Sequence, residues 1–218
     1  TIMSRSGPFL IGAVLLALAG SPVSGADEYL LFPAAEVREA HELRQRALDA
    51  VPGLDLAGLR RPAPLSAESL GEAAQQLAAA ERREKDNPFL FWLQGELLRR
   101  SPGGQSADEA DARAAEAASG RAVVHWILWR EHLLRGRWRE AGLHEDFLAS
   151  WQLSLGLTRA PILTETLTAA GRGAAESGDP AAAQALFGRT LRRDPGHAGA
   201  LAGRAGVAWD ASPARVVG

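Results

Sequence analysis

Along most of this chain apolar residues return every three or four positions, and no segment shows the every-second-residue alternation of a half-buried strand. Residues 177–197, "SGDPAAAQALFGRTLRRDPGH", carry the pattern most clearly. Ala183, Leu186, Phe187, Thr190 and Leu191 fall at i, i+3, i+4, i+7 and i+8, which makes one apolar stripe on one helix face. Asp179 stands where an N-cap side chain belongs, and Pro180 follows at the first helical position, where its missing N–H costs nothing. Gly178 suits the left-handed conformation that closes a preceding helix, and Asp194-Pro195-Gly196 ends this one. Arg189, Arg192 and Arg193 lie off the stripe, the last two at the negative end of the helix dipole.

The same reading predicts helices over about 34–50, 66–87, 89–100, 107–119, 121–135, 138–155, 159–176, 179–193 and 197–209. Ser66 is the expected N-cap of the second, and Asn87-Pro88 its stop. "VPGLDLAGLRRPAPLS" (51–66) is a proline- and glycine-broken connector, and "SPGGQS" (101–106) a linker between two halves. The alanine-rich, polar run "ADEADARAAEAAS" (107–119) predicts a weakly buried helix. The expected fold is all-α. Composition agrees, because the 46% apolar fraction is carried by alanine and leucine rather than β-branched residues.

The first residues follow a different pattern. "MSRSGP" carries Arg5, "FLIGAVLLALAG" is an apolar run, and "SPVSGA" ends in small residues. A basic end, a short apolar core and a small-residue cleavage site describe a secretory signal peptide, with cleavage expected after Ala26. Met3 is the only methionine, so residues 1–2 are expected to lie upstream of translation. The alternative is an inner-membrane anchor at residues 9–20, but that run is short for a span of about 20 residues. The expected division is therefore 1–26 signal peptide, 27–106 N-terminal helical region and 107–218 helical repeat region, in a periplasmic or secreted protein.

Leu167-x2-Ala170-Gly171-x2-Ala174, then Ala183-x3-Phe187, then Pro195, follow the order W-x2-L-G-x2-Y, A-x3-F, P. Over about 160–209 the chain therefore resembles a tetratricopeptide (TPR) repeat, with the Trp and Tyr positions reduced to Leu167 and Ala174. The resemblance implies antiparallel helix pairs stacked as a TPR-like α-solenoid, in which Leu167, Gly171, Ala174, Ala183, Phe187 and Pro195 pack the repeat. A poorer copy lies at 121–157, where Gly136 to Ala141 repeats the spacing of Gly178 to Ala183. There Trp129 replaces the first-helix glycine and Glu145 the phenylalanine. In this family the first helix of each pair lines a concave groove. By alignment Glu165, Thr168, Arg172 and Glu176, with Trp126 and Arg130 from the poorer copy, would face a partner.

Charge and candidate chemistry narrow the reading further. The formal net charge is −2, and removing Arg5 with the leader leaves 23 basic against 26 acidic residues, so nucleic acid is not an expected partner. With no cysteine there are no disulfides or thiolate metal sites, and lipoprotein attachment at the leader is excluded. His125 and His132 are seven apart on one helix, His144 is followed by Glu145 and Asp146, and His41 and His197 are isolated. None has the i, i+4 metal spacing, so packing or solvated roles are expected, with no metal and no cofactor. Carboxylates in "ERREKD" and "DEADARAAEA" read as solvated faces. Most tryptophans read as core. No nucleophile elbow, phosphate loop or dinucleotide fingerprint occurs, so no catalytic residue is assigned.

These readings converge on an exported, non-enzymatic scaffold or adaptor that binds a protein or peptide partner of the cell envelope. The alternatives are a non-catalytic helical arm of a larger envelope enzyme or assembly protein continuing beyond residue 218, and a small-molecule or metal carrier.

Overall fold

The computed structural model describes residues 31–52, 65–101 and 106–210. The expected leader with Ala26, the alternative anchor and most of the connector lie outside the described residues. Within them there are nine helices and no strand: α1 (Ala34–Asp49), α2 (Ala67–Arg83), α3 (Pro88–Arg100), α4 (Asp108–Ala117), α5 (Ala122–Leu134), α6 (Trp138–Ser154), α7 (Pro161–Glu176), α8 (Pro180–Arg193) and α9 (Ala198–Asp210). The all-α expectation holds, with boundaries within a few residues of those read from the pattern. No helix among the described residues is long and apolar enough to cross a membrane.

Capping explains several boundaries. The Ser66 hydroxyl accepts from Ser69 N–H at the start of α2, and the Asp179 carboxylate accepts from Ala182 N–H at the start of α8. Asn87 does more than stop a helix. Its Oδ1 accepts from Phe89 N–H to cap α3, while its Nδ2 donates to the Leu43 carbonyl at 3.0 Å and ties that start to α1. Gly120, Gly136, Gly156 and Gly178 all have positive φ between helices.

Phe32–Phe147 form one compact unit, and the residues from Leu148 belong to another, the division falling inside α6. The expected boundary at residue 106 lies inside the first of these units. The 101–106 linker joins two helices of the same unit, α3 and α4, because α4 is far from weakly buried. Ala107, Ala110, Ala114 and Ala118 are all buried, at i, i+3, i+7 and i+11. A methyl stripe allows close approach, and Gly95 on α3 provides the matching gap: a Cβ there would meet Asp111 Oδ1 at 2.9 Å. Alanine content had read as polarity. It is instead the shape that lets two helices touch.

In the Phe32–Phe147 unit, α3 and α5 are the inner helices. Phe89, Leu90, Trp92 and Leu93 on α3, and Val123, Leu128 and Trp129 on α5, are almost fully buried. Both are apolar around most of their circumference, as central helices must be. The amphipathic α1 lays Ala40, Leu43 and Ala47 inward, and its Arg44 reaches Glu131 of α5 at 2.6 Å.

In the unit from Leu148, α7, α8 and α9 pack in sequence. Phe187 of α8 is fully buried and lies against two glycines, Gly171 of α7 and Gly203 of α9. A Cβ on Gly171 would come within 2.7 Å of Phe187 Cε1. Leu167, Ala174, Ala183 and Leu186 complete this core, and Pro195 lies in the exposed turn after α8.

Candidate functional site

Two features of the described residues exceed what a stable helical core requires: the outward face of α7 in one unit, and a buried polar cluster in the other.

On α7, the sequence places Glu165, Thr168, Arg172 and Glu176 on one face, and the structure divides them by exposure. Arg172 and Glu176 are exposed, Glu165 is half-exposed, and Thr168 is buried. Thr168 therefore leaves the proposed groove set. Its hydroxyl bonds the Thr164 carbonyl at 2.8 Å and the Thr190 hydroxyl at 3.3 Å, joining α7 to α8. Glu165 lies 3.2 Å from His197 Nε2, and His197 Nδ1 in turn accepts from Ala200 N–H at the start of α9. Arg172 has no ion-pair partner among the described residues. The face is thus a short polar strip, acidic at both ends with a free guanidinium between, and exposed Leu201 belongs to α9 of the same unit.

Trp126 and Arg130 belong to the other unit. Arg130 is half-buried, and Trp126 is 3% exposed, its ring 5.0 Å from that of Trp129 and 6.2 Å from that of Phe32. This corrects its assignment as an exposed anchor. α5 is a central helix, so the position that faces a groove in a repeat's first helix faces the interior here.

The buried cluster was not anticipated. Glu96, fully buried on α3, receives a bidentate contact from Arg137 just before α6: Nη1 to Oε1, and Nη2 to Oε2 at 2.8 Å. Arg99 and Arg135 approach the same carboxylate at 3.8 and 3.9 Å. Arg99 also pairs with buried Asp111 and lies 3.7 Å from Glu140, while Arg135 pairs with Glu131. Each buried charge is thereby compensated, the condition for keeping charge in an interior. Burial still raises the Asp111 carboxyl above its usual range, and Arg99 only partly counters it.

Next to this network stand three buried histidines. His144 of α6 meets His125 of α5 through their Nδ1 atoms at 2.9 Å, and its ring stacks on that of His132 with centroids 5.7 Å apart. His125 stacks on Phe147 at 4.1 Å. Burial pushes all three below the ordinary imidazole value, His125 to about 4 and His144 to about 3, each helped by a neighbouring cation or imidazole. His132 is lowered too, by burial first and then by His144, Arg99, Arg137 and Arg135. Among the described residues no group of three or more His, Asp or Glu side chains converges to hold a metal ion. The face His125 and His132 share was legible from their spacing; the partner on the next helix was not. A signal existed. His125 precedes and His144 follows the Gly136 turn, and an antiparallel hairpin brings the residues on its two sides together.

No protein-family model matches this chain, and no curated protein and no solved structure shows significant similarity to it.

Proposed function

We propose that this protein is an exported, non-enzymatic helical-repeat scaffold that binds a protein or peptide partner along the outward face of α7. The observation that supports it is the α7–α8–α9 packing: glycines and alanines admit Phe187 between helices, and Glu165, Arg172 and Glu176 are left facing water. Helices stacked in this way offer a rigid surface whose polar contacts need no reordering on binding. Arg172, free of an internal partner, presents a planar fork suited to a single carboxylate of a peptide partner. The TPR-like reading and the export to the periplasm belong to the same proposal; the leader-like residues 3–26 support the latter.

The test is comparative capture from a periplasmic extract, with the wild-type and Arg172→Glu proteins as bait. The proposal expects a specific partner retained by the first and lost by the second at equal folding. Equal capture by both would remove the α7 face as the binding surface. Mass spectrometry of the protein recovered from that compartment should give Asp27 as the first residue; an intact leader would overturn the cleavage.

A further inference from the structure

The three imidazoles between α5 and α6 form a cluster for which the scaffold reading has no use. An apolar filling would stabilise the same hairpin more simply, because an unpaired buried polar atom is costly. Among the described residues His125 Nε2, His144 Nε2 and both His132 nitrogens have no hydrogen-bond partner.

The Nδ1–Nδ1 contact sets a proton rule. At 2.9 Å one nitrogen must carry hydrogen and the other must offer its lone pair, so the pair is satisfied when both rings are neutral. The first proton taken up can sit on the donor ring's free Nε2 and leave the contact in place, but the next must go to the accepting Nδ1, where two N–H groups would meet head to head and break it. His132 stacks on His144 and makes no hydrogen bond to it. Cations surround His132 from several elements: Arg99 on α3, Arg135 after α5 and Arg137 before α6. Their carboxylate partners Glu96, Asp111, Glu131 and Glu140 are engaged with those arginines, as is Arg44 of α1 with Glu131. Arg121, before α5, adds positive charge at His125, and buried Glu145 on α6 is itself in contact with another group.

We propose that His125, His144 and His132 are an acid-released latch: neutral, they hold α5 against α6, and on taking up protons they let the two helices part. No partner or ligand is needed, and the α7 face is not involved.

The direction follows from linkage. Each imidazole binds a proton less readily in the folded unit than in the unfolded chain, so acid favours the unfolded chain. The effect starts as pH falls through about 6.5 and is complete near 4 for His125 and near 3 for His144. Three carboxyl groups also act as pH falls, and Glu81, raised by burial, works against the latch as Asp111 does. Asp111 works against the latch, since its raised value lets the folded unit take a proton first. Glu84, lowered mainly by its hydrogen bond from Asn87, works with it, but only below about 4.5.

The experiment is urea unfolding of the full chain from pH 7.5 to 5.0, followed by tryptophan fluorescence, for wild type and the double variant His125→Asn/His144→Asn. Asparagine keeps a neutral donor and acceptor near the Nδ1 position and does not titrate. Below pH 6 the wild-type unfolded-to-folded ratio should climb about a hundredfold more steeply per pH unit than the variant's, the effect of two protons. Equal slopes would overturn the latch. Should the variant not fold, proton NMR of the wild-type histidine ring protons decides the matter: the rings of His125, His132 and His144 should hold their neutral shifts from pH 7.5 to 5.0. If all of them titrate near 6.5, the proposal fails.

Discussion

The hairpins α5–α6 and α7–α8 turn in the same way and are filled with opposite chemistry. Each reverses at a glycine of positive φ, Gly136 at 69° and Gly178 at 76°. Behind Gly178 the helices meet through Phe187 lying on Gly171, and the buried polar groups, Thr164, Thr168 and Thr190, bond to carbonyls one turn back. Behind Gly136, Trp129 occupies the position of Gly171, and imidazoles with a charged network fill what remains. Those threonine hydroxyls, including the Thr168–Thr190 pair between the helices, carry no charge and do not respond to pH in this range. A buried imidazole or carboxylate depends on specific partners from other helices. One backbone plan thus yields a hairpin held by shape and another held by protonation and charge pairing.

The comparison breaks most readily at its two keystones. Phe187→Ala should destabilise the protein by roughly 3–5 kcal/mol, since a fully buried ring leaves a cavity that glycines cannot fill; a loss under about 1 kcal/mol in urea unfolding would show that shape does not hold α7–α9. Glu96→Ala should cost a similar 3–5 kcal/mol for a different reason, the stranding of Arg137 and its neighbours without a counter-ion. Raising salt should leave the Phe187→Ala cost unchanged. If it erased the Glu96→Ala cost, the network would have to be solvated rather than buried.

Gly171→Ala sharpens the shape half of the contrast. A single methyl would press on the Phe187 ring, for an expected loss of about 1–3 kcal/mol by thermal or urea unfolding. A neutral result would mean the ring has room to shift. Arg172→Glu is the smallest perturbation to stability, within about 0.5 kcal/mol, because the side chain is exposed and unpaired. Its effect should fall on partner capture alone.

Local rules carried the helix positions. Ser66 and Asp179 cap as their spacing indicates, proline opens α3, α7 and α8, and apolar recurrence finds every described helix. The α4 burial was misjudged because alanine is ambiguous: it lines a solvated helix and a close helix–helix seam equally well, and only Gly95 opposite decides between them. Trp126 was misassigned because a helix apolar on all sides carries no periodic mark of which side faces out.

Residues within one or two turns of each other therefore settled where this chain coils, where it stops and which hairpin turns use glycine, since those depend on backbone hydrogen bonds and side chains in direct reach. Which imidazole meets which, and that Glu96 gathers Arg135 and Arg137 from the turn between α5 and α6, were decided by the register in which whole helices dock. Side chains nineteen or forty-one positions apart become neighbours only through that docking. Its choice rests on the summed fit of many small contacts, and no short stretch of sequence contains that sum.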